Sequence, residues 1–307
     1  MKKVILTFLL PILLFSGCSF KNTSDLLKNI TNKKTTAVKD FQSSKNADHR
    51  INVLLVGIDS RGEKHSRSDA IMIVQYNPKT NEIRLVSIMR DSYVAIPTYK
   101  HKYHKINTAY YLGGPELLRK TIKQNFGIEI NHYVTIDFKG FEKIVDLIAP
   151  DGVQVNVSQN IINDMKLNLQ PGVQKLHGKE LLAYARFRHD AESDFGRVAR
   201  QQEIITSLKD AAYLRLANFD AIIKVPNLVN EGLQYVETSF SMQDLLSLGT
   251  TVVMNPVKTL DSMRIPLSNT FENARFDHAG LVLKMDENKN REAIKEFLIE
   301  KPTPVNK

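Results

Sequence analysis

Arginine side chains are concentrated in a short stretch beyond the middle of the chain. In the segment Ala185-Arg186-Phe187-Arg188-His189, an extended backbone would place Arg186 and Arg188 on one face and Phe187 on the other. Arg197 and Gln201 follow four residues apart, so a helix entered through residues 194–196 would direct both side chains the same way. Guanidinium groups bind phosphate oxygens in pairs, and a helix N terminus adds backbone donors, so the pattern predicts a di- or polyphosphate site. The alternative is a solvated basic face.

Two aspartates flank a loop earlier in the chain. Asp59 follows a strand-like run, Asp69 precedes another, and Arg67 lies between them. Mg²⁺ prefers one or two protein carboxylates together with phosphate oxygens and water, so the pair predicts an Mg²⁺ site, with Mn²⁺ as the alternative ion. Ordinary ion pairs with the neighbouring arginines are the competing interpretation. Arg90 and Asp91 form a third polar group directly after a strand-like run.

The segments that must position these groups alternate between strand and helix patterns. Apolar runs at residues 51–58, 70–76 and 83–89 predict strands, and the turn-rich residues between the last two predict an antiparallel hairpin. Helical spacing of apolar residues follows Pro115 and stops at Gly127, and a longer helix is predicted from about residue 195 past residue 208. Shorter elements are predicted as strands at residues 133–136 and 153–157 and as helices at residues 141–148, 179–184 and 241–248. This mixture favours an α/β fold.

The first residues have the pattern of a secretory signal. Lys2 and Lys3 precede an apolar run at residues 4–15, which is shorter than the roughly 20 residues that a membrane-spanning helix needs. Phe15-Ser16-Gly17-Cys18 resembles the bacterial lipoprotein cleavage box, with Phe15 where leucine is usual, so lipidation is predicted at Cys18, the only cysteine. A single N-terminal transmembrane segment is the weaker alternative, and an incidental thiol is the other.

The domain organisation follows from these patterns. Residues 1–17 are predicted to be a lipoprotein-type signal peptide. Residues 18–48 are polar and lack an apolar period, so they are predicted to be a tether. Residues 49–307 are predicted to form one catalytic domain. The anchor places that domain at the extracytoplasmic face of the cell membrane.

The chain has a formal net charge of +9. An exported chain meets no chromosome, so nucleic acid is excluded as a partner and anionic phospholipid or a phosphate-rich polymer is favoured. The sequence contains no Gly-Lys-Ser/Thr phosphate loop, which removes support for nucleotide hydrolysis.

Six segments together resemble the LytR-CpsA-Psr family in sequence, order and spacing, closely over about residues 51–208 and loosely beyond. They are Leu54-Leu55-Val56-Gly57-Ile58-Asp59, Arg67-Ser68-Asp69, Ser87-Ile88-Met89-Arg90-Asp91, Lys105-Ile106-Asn107, Tyr184-Ala185-Arg186-Phe187-Arg188 and Asp194-Phe195-Gly196-Arg197-Val198-Ala199-Arg200-Gln201-Gln202. Met89 stands where the family more often has proline, and Ala149-Pro150-Asp151-Gly152 replaces a usual double-glycine turn.

The resemblance implies a three-layer α/β/α domain with a mixed central sheet. It implies a phosphotransferase that moves an anionic glycopolymer, such as wall teichoic acid or capsular polysaccharide, from an undecaprenyl-pyrophosphate carrier to peptidoglycan with the help of Mg²⁺. A sugar hydroxyl of the acceptor would attack the phosphate nearer the polymer, and undecaprenyl phosphate would leave. The polyprenyl chain would occupy an apolar pocket between the sheet and the helices.

The resemblance also implies roles for individual residues. Asp59 and Asp69 would bind the metal. The substrate phosphates would be held by Arg67, Arg90, Lys105, Arg186, Arg188, Arg197 and Gln201. Arg90 and Asp194 would be catalytic, Asp194 as an acceptor of the hydroxyl proton, although an acid at this position is also a routine partner of a helix N terminus. Lys105 would contact substrate or only the surface.

Two further functions are compatible with the same residues. One is a lipid-anchored sensor or regulatory module that binds polyprenyl phosphates without turnover. The other is a polyprenyl-pyrophosphate hydrolase, which would need no acceptor. The acidic pair together with the full set of arginines favours transfer.

Overall fold

The computed structural model describes residue 41 and residues 49–59, 66–189, 193–216 and 221–299, all within one compact unit, Thr35–Lys307. The predicted signal peptide, Cys18 and the predicted tether except for Phe41 lie outside these residues. The predicted division of the chain into signal, tether and domain therefore stays a prediction.

Twelve strands lie in the described part of the chain. In chain order they are β1 (Ile51–Ile58), β2 (Ser68–Asn77), β3 (Glu82–Ile88), β4 (Tyr93–Ala95), β5 (Tyr103–Lys105), β6 (His132–Asp137), β7 (Val153–Val157), β8 (Gly172–Leu176), β9 (Glu237–Thr238), β10 (Thr259–Ile265), β11 (Phe271–Phe276) and β12 (Gly280–Met285). Six of them form the central sheet in the order β10-β3-β2-β1-β6-β9. The β1–β6 and β3–β10 pairs are parallel and the other three pairs are antiparallel, so the sheet is mixed.

Eight helices lie in the same ranges. They are α1 (Ile106–Phe126), α2 (Phe138–Ile148), α3 (Gln159–Met165), α4 (Gly178–Arg186), α5 (Asp194–Leu216), α6 (Ala221–Gly232), α7 (Met242–Met254) and α8 (Glu287–Ile299). In the ranges that the structure describes, none of the helices combines the length and apolar composition that a membrane crossing requires.

The two faces of the central sheet have different surroundings because successive side chains of a strand point to opposite faces. Leu54 and Val56 of β1 and Ile73 of β2 belong to a closed hydrophobic core, which also contains Leu118 of α1 and Ile294 of α8. The intervening side chains point to the opposite face, which α2, α4, α5 and α7 cover without filling. The sheet therefore lies between two layers of helices, and the predicted three-layer α/β/α fold with a mixed sheet is confirmed.

Helix α1 begins earlier than the sequence pattern predicts. It starts at Ile106, and its backbone leaves helical geometry at Gly113 and Gly114, where Gly114 has a φ of 60°. The predicted start at Pro115 is therefore the start of the second half of the helix. Gly127 ends it in the left-handed conformation with a φ of 71°, as predicted.

Candidate functional site

A cavity of about 1850 Å³ lies between the central sheet and the helices that cover its second face. Side chains from the sheet, α2 and α5 give it a mainly apolar lining. They include Leu55, Met72, Val74, Ile144, Ile148 and Leu208. Such a lining accommodates a hydrocarbon chain and excludes the water that a polar ligand needs.

Polar residues meet where three neighbouring strands end or begin. Asp59 directly follows β1, Asp69 is the second residue of β2, and Arg90 comes two residues after β3. Because β1 and β3 both run antiparallel to β2, these positions share one end of the sheet, which we call the polar end. The opposite end of the sheet contains Ile51 and Ile83, both paired with Tyr76.

Helices α4 and α5 bring the remaining basic residues to the polar end. Arg186 is the last residue of α4, Arg188 lies two residues beyond it, and α5 begins at Asp194. The sequence pattern is wrong about the extended backbone at Arg186, but both arginines line the cavity while Phe187 points away into a second hydrophobic core. Eight of the predicted site residues line this one cavity: Asp59, Arg67, Asp69, Arg90, Arg186, Arg188, Arg197 and Gln201.

Two carboxylates hold three guanidinium groups together at this end of the cavity. Asp69 Oδ1 lies 2.5 Å from Arg90 Nη1 and 3.9 Å from Arg188 Nη2. Asp194 Oδ1 lies 3.3 Å from Arg188 Nε and 3.1 Å from Arg197 Nη1, and its Oδ2 lies 4.0 Å from Arg90 Nη2. The acids bring the arginines closer together than their mutual repulsion would otherwise permit.

Arg90 and Arg197 respond to this environment in opposite ways. Burial opposes the charge of Arg90, but the hydrogen bond with Asp69 and the charges of Asp91, Asp69 and Asp194 outweigh it, so its pKa is raised. For Arg197 burial dominates: despite the attraction of Asp194, burial and the nearby positive charges of Arg188 and Arg90 lower its pKa to about 10. Arg197 therefore stays protonated at neutral pH in a place that disfavours its charge.

Two side-chain nitrogens of Arg197 have no hydrogen-bond partner among the described residues. Its side chain is nearly inaccessible, and within the described ranges its Nε and Nη1 atoms make no hydrogen bond. The Nη1 atom is close enough to Asp194 Oδ1 for an ion pair, but it is not aligned with that oxygen for a hydrogen bond. Buried guanidinium donors without partners are costly, and a bound anion at the cavity wall would satisfy them.

Aromatic rings support the two outer arginines. The Arg67 guanidinium carbon lies 5.9 Å from the centre of the Tyr111 ring, and that of Arg186 lies 4.3 Å from the Phe138 ring. Both rings line the cavity. Cation–π contacts orient a guanidinium group while leaving its N–H donors available, so these arginines can still bind oxygen.

Lys105 and Asp194 do not line the cavity. The Lys105 Nζ atom lies 2.7 Å from Asp91 Oδ1, and Asp91 Oδ2 lies 3.3 Å from Arg90 Nε. Lys105 is thus separated from Arg90 by one carboxylate, whereas Asp194 touches three arginines of the cavity wall directly. A direct contact between Lys105 and substrate stays a prediction.

The two predicted metal ligands line the same cavity beside the arginines. Among the residues described, no group of three or more histidine, cysteine, aspartate or glutamate side chains is arranged to hold a metal ion. This donor set does not suit a metal held by protein ligands alone. It suits Mg²⁺, which often takes one or two carboxylates and completes its coordination with substrate phosphate and water.

The sequence model described as the LytR_cpsA_psr family matches residues 15–294, most of the chain. The chain belongs to the LytR-CpsA-Psr family. The membership predicted from the six segments is confirmed.

Relatives within the LytR-CpsA-Psr family carry two kinds of name. "Regulatory protein MsrR" of Staphylococcus aureus (strain COL) is 39% identical over 267 residues, which are 87% of this chain and 80% of the relative. "Polyisoprenyl-teichoic acid--peptidoglycan teichoic acid transferase TagU" of Bacillus mycoides (strain KBAB4) is 35% identical over 181 residues, which are 56% of this chain and 57% of the relative.

Solved structures in the family share this fold. "TagT bound to LIIa-WTA" has a TM-score of 0.67 and 28% sequence identity over 86% of this chain and 98% of its own. "LytR-CPS2A-psr family protein YwtF (TagT) with bound octaprenyl pyrophosphate lipid" has a TM-score of 0.60 and 25% identity over 87% of this chain and 98% of its own.

Several residues that line the site of this LytR-CpsA-Psr domain were not predicted from the sequence. Asp137 ends β6 beside Ile58, lines the cavity, and accepts a hydrogen bond of 2.7 Å from the backbone N–H of Gly140 as the N-cap of α2. Its position between a strand and a helix was a usable signal. Tyr111 and Phe138 gave no such signal, because their contacts with arginines join distant segments.

Adjacent glutamines on α5 provide a test of the site's boundary. Gln201 lines the cavity, whereas Gln202 Nε2 donates hydrogen bonds to Ser87 Oγ at 3.0 Å and to the Met263 carbonyl at 2.9 Å. We expect Gln201→Ala to weaken binding of a pyrophosphate lipid about tenfold without changing stability. Gln202→Ala should instead lower the free energy of unfolding by about 1–2 kcal/mol. Calorimetric titration and urea denaturation would measure the two effects, and equal binding losses in both variants would contradict the assignment.

Proposed function

We propose that this protein transfers an anionic glycopolymer, of the wall teichoic acid or capsular type, from an undecaprenyl-pyrophosphate carrier to peptidoglycan. The observation that carries the proposal is the amphipathic cavity. Its apolar length suits a polyprenyl chain, and its polar end presents five arginines and three aspartates at the position where the pyrophosphate would follow. Few ligands other than a lipid pyrophosphate require both features in one cavity.

The enzyme class predicted from the sequence is confirmed at the level of the family, because a relative is named as a transferase of this kind. Structural relatives named as bound to octaprenyl pyrophosphate and to LIIa-WTA support the choice of donor. The identity of the glycopolymer, the acceptor and the metal belong to the proposal.

The proposed reaction is a displacement at phosphorus. The oxygen of an acceptor sugar hydroxyl forms a bond to the phosphorus nearer the polymer, and the bond from that phosphorus to the bridging oxygen breaks. The leaving group is undecaprenyl phosphate, and the hydroxyl proton passes to a base. Phosphoryl transfer of this kind depends on positioning and on electrostatic stabilisation, which the arginines provide.

The basic residues have separable roles in this reaction. Arg90 is centrally placed, held by Asp69 and Asp91, so its donors are fixed before substrate arrives. Arg188 and Arg197 extend the cluster toward α5 and would hold the phosphate that departs with the lipid. Asp59 and Asp69 would hold Mg²⁺, which when bound neutralises charge on the pyrophosphate oxygens.

Asp194 has two candidate roles in the proposal. As a base it would accept the proton of the attacking hydroxyl, which requires its carboxylate to reach the cavity. Its contacts with Arg90, Arg188 and Arg197 favour the role of a positioning residue that fixes the angles of three guanidinium groups. The two roles differ in pH dependence, since only the base would add a protonation step to the pH profile of turnover.

The test of the proposed function is transfer by the full chain in vesicles. A lipid-pyrophosphate donor, Mg²⁺ and peptidoglycan should together yield polymer linked to peptidoglycan. Release of phosphorylated polymer without peptidoglycan would favour the hydrolase. Donor binding without either product would favour the sensor. The relative named as a regulatory protein is the observation that supports this second hypothesis.

The anchor is a separate part of the proposal. We propose that Cys18 is acylated and holds the domain at the extracytoplasmic face of the membrane. Cys18→Ala should release the domain into the soluble fraction, because the apolar run at residues 4–15 is too short to serve as a stable span. Membrane attachment that persists in this variant, measured by fractionation, would favour an uncleaved hydrophobic segment.

The metal proposal is tested through Asp69, whose carboxylate lies against Arg90 and Arg188. Asp69→Asn keeps the size of the side chain and removes its charge. We expect transfer to fall at least about a hundredfold and the Mg²⁺ dependence of donor binding to disappear. Asp151→Asn, a change at an exposed turn residue, is the matched control and should leave both unchanged. A normal Mg²⁺ titration of donor binding by Asp69→Asn would remove Asp69 from the metal site.

A further inference from the structure

At the end opposite the arginines, the cavity is lined by side chains that are also exposed to solvent, which indicates a second opening there. We infer that this second opening docks on the surface of the membrane, with its exposed apolar side chains inserted among anionic phospholipids. The inference rests on the proposed function, because it concerns how a lipid substrate would reach the cavity. We call Tyr213, Leu214 and Met254 the apolar rim.

The apolar rim is unusually exposed. Tyr213 is 52% accessible, Leu214 72% and Met254 67%. Tyr213 and Met254 also line the cavity, so the same side chains face its interior and the solvent. Large apolar side chains grouped at a cavity mouth are typical of a surface that contacts lipid or another protein.

The rim lies far from the polar end. Sixteen residues of α5 separate Arg197 from Tyr213, which corresponds to about 24 Å along a helix. On the sheet, seven residues of β2 separate Asp69 from Tyr76, or about 23 Å. The cavity lining follows both elements, through Leu208 on α5 and Val74 on β2. The cavity is therefore an elongated passage with a polar and an apolar opening.

The course of the chain places the apolar opening on the membrane side. Strand β1 begins at Ile51, which pairs with Tyr76 at the end of the sheet opposite the arginines. Upstream of it, the Phe41 ring lies 4.8 Å from the ring of Tyr133, near the start of β6, which runs parallel to β1. A chain anchored by its N terminus thus reaches the domain at the opposite end, so the polar end would face the cell wall.

Helix α7 strengthens the case for lipid contact. It contributes Val252, Val253 and Met254 to the cavity, and its sequence is largely apolar, yet none of its residues is fully buried. A helix that is apolar without being buried needs a further partner. The interior of the cavity and the membrane surface would together cover it.

The charges beside the rim suit an anionic bilayer. Lys209 and Lys258 line the cavity near this opening, and Arg215 follows the rim on α5. Asp210 also lines the cavity and pairs with Lys209 at 2.5 Å. Lys258 is exposed to solvent. Arg215 donates a hydrogen bond to the Leu147 carbonyl, a neutral acceptor that leaves the charge of the arginine in place. Apolar side chains flanked by cationic ones are typical of protein surfaces that bind the membrane interface.

Tryptophan fluorescence provides a direct test, because the chain contains no tryptophan. The full chain would be reconstituted in vesicles of phosphatidylcholine and phosphatidylglycerol with brominated acyl chains, which quench only tryptophan inserted in the bilayer. Leu214→Trp should lose about half of its emission relative to vesicles without bromine, as expected for a side chain among the acyl chains. Leu281→Trp is the matched control, since Leu281 is 63% exposed on β12. Two residues further along this strand, the backbone N–H of Leu283 donates a hydrogen bond to the Asp91 carbonyl at the polar end. Leu281→Trp should show no quenching.

Equal quenching at both positions, or quenching only of Leu281→Trp, would overturn the inference. The measurement uses neither donor nor acceptor, so it is decided even if the proposed transfer does not occur. A second measurement compares Leu214→Asp with Leu281→Asp. Leu214→Asp should slow transfer from a donor embedded in vesicles about tenfold and leave transfer from a water-soluble short-chain donor unchanged. Equal rates of transfer by Leu214→Asp and Leu281→Asp from the embedded donor would contradict a docking role of the apolar rim.

Discussion

Arg90→Ala is expected to lower transfer by a factor of about 10³ or more, the effect seen when one preorganised cation is removed from a phosphoryl-transfer site. The fold should survive the change. Asp69 keeps Arg188 at 3.9 Å, Asp91 keeps Lys105 at 2.7 Å, and Asp194 keeps Arg188 and Arg197. No carboxylate is left buried without a cation, so the loss should appear in turnover and not in stability. Initial rates of polymer transfer and thermal unfolding of the same preparation measure both quantities.

Two further variants make the Arg90 result specific. Arg275→Ala removes an exposed arginine from β11 and should leave transfer unchanged, which controls for the overall loss of positive charge. Arg90→Lys should restore a minor part of the activity, because an ammonium group supplies charge without the paired donors of a guanidinium group. Turnover of Arg90→Ala within about threefold of the unsubstituted chain would exclude Arg90 from catalysis.

The sequence predicted those elements whose determinants are local. The predicted strands at residues 51–58 and 153–157 have the observed bounds, and the helix predicted from residue 241 begins with a capping box, in which Ser241 and Asp244 form hydrogen bonds in both directions. Apolar alternation and capping depend on neighbours within a few residues, which a single sequence displays.

The parts that the sequence did not predict depend on long-range contacts. The edge strands β9 and β10 are defined by pairing with β6 and β3, so their polar, irregular sequences carry no strand pattern of their own. The sequence also did not predict that Tyr213 of α5 and Met254 of α7 line the same cavity, because the two residues are far apart in the chain and belong to no common motif. Motif spacing located the residues of the polar end, but it carries no information about where the apolar passage ends.

Arg197→Met is expected to stabilise the protein while abolishing tight donor binding. The native pKa of Arg197 is lowered to about 10, so its charge is less favourable in the folded chain than in the unfolded one. An unbranched apolar side chain of similar length removes that penalty and should raise the free energy of unfolding by about 1–2 kcal/mol at neutral pH. Asp194 retains Arg188 at 3.3 Å. Donor affinity should fall about a hundredfold, because a bound pyrophosphate would be what satisfies the free guanidinium donors.

The pH dependence of this stability difference has a definite sign. Between pH 10 and the ordinary arginine pKa, the unfolded chain binds the proton that native Arg197 has lost, so the unsubstituted protein gains stability relative to Arg197→Met as the pH rises. Urea denaturation should therefore show that the free energy of unfolding of Arg197→Met exceeds that of the unsubstituted protein by a constant amount near neutral pH. The difference should narrow above about pH 10. Arg119→Met is the contrasting control, because Arg119 is also buried but donates two hydrogen bonds of 2.8 Å to Glu116. Its loss should destabilise the fold by about 3 kcal/mol. If Arg197→Met destabilised the protein to the same degree, Arg197 would already be satisfied without a ligand, and its role as a donor waiting for pyrophosphate would be wrong.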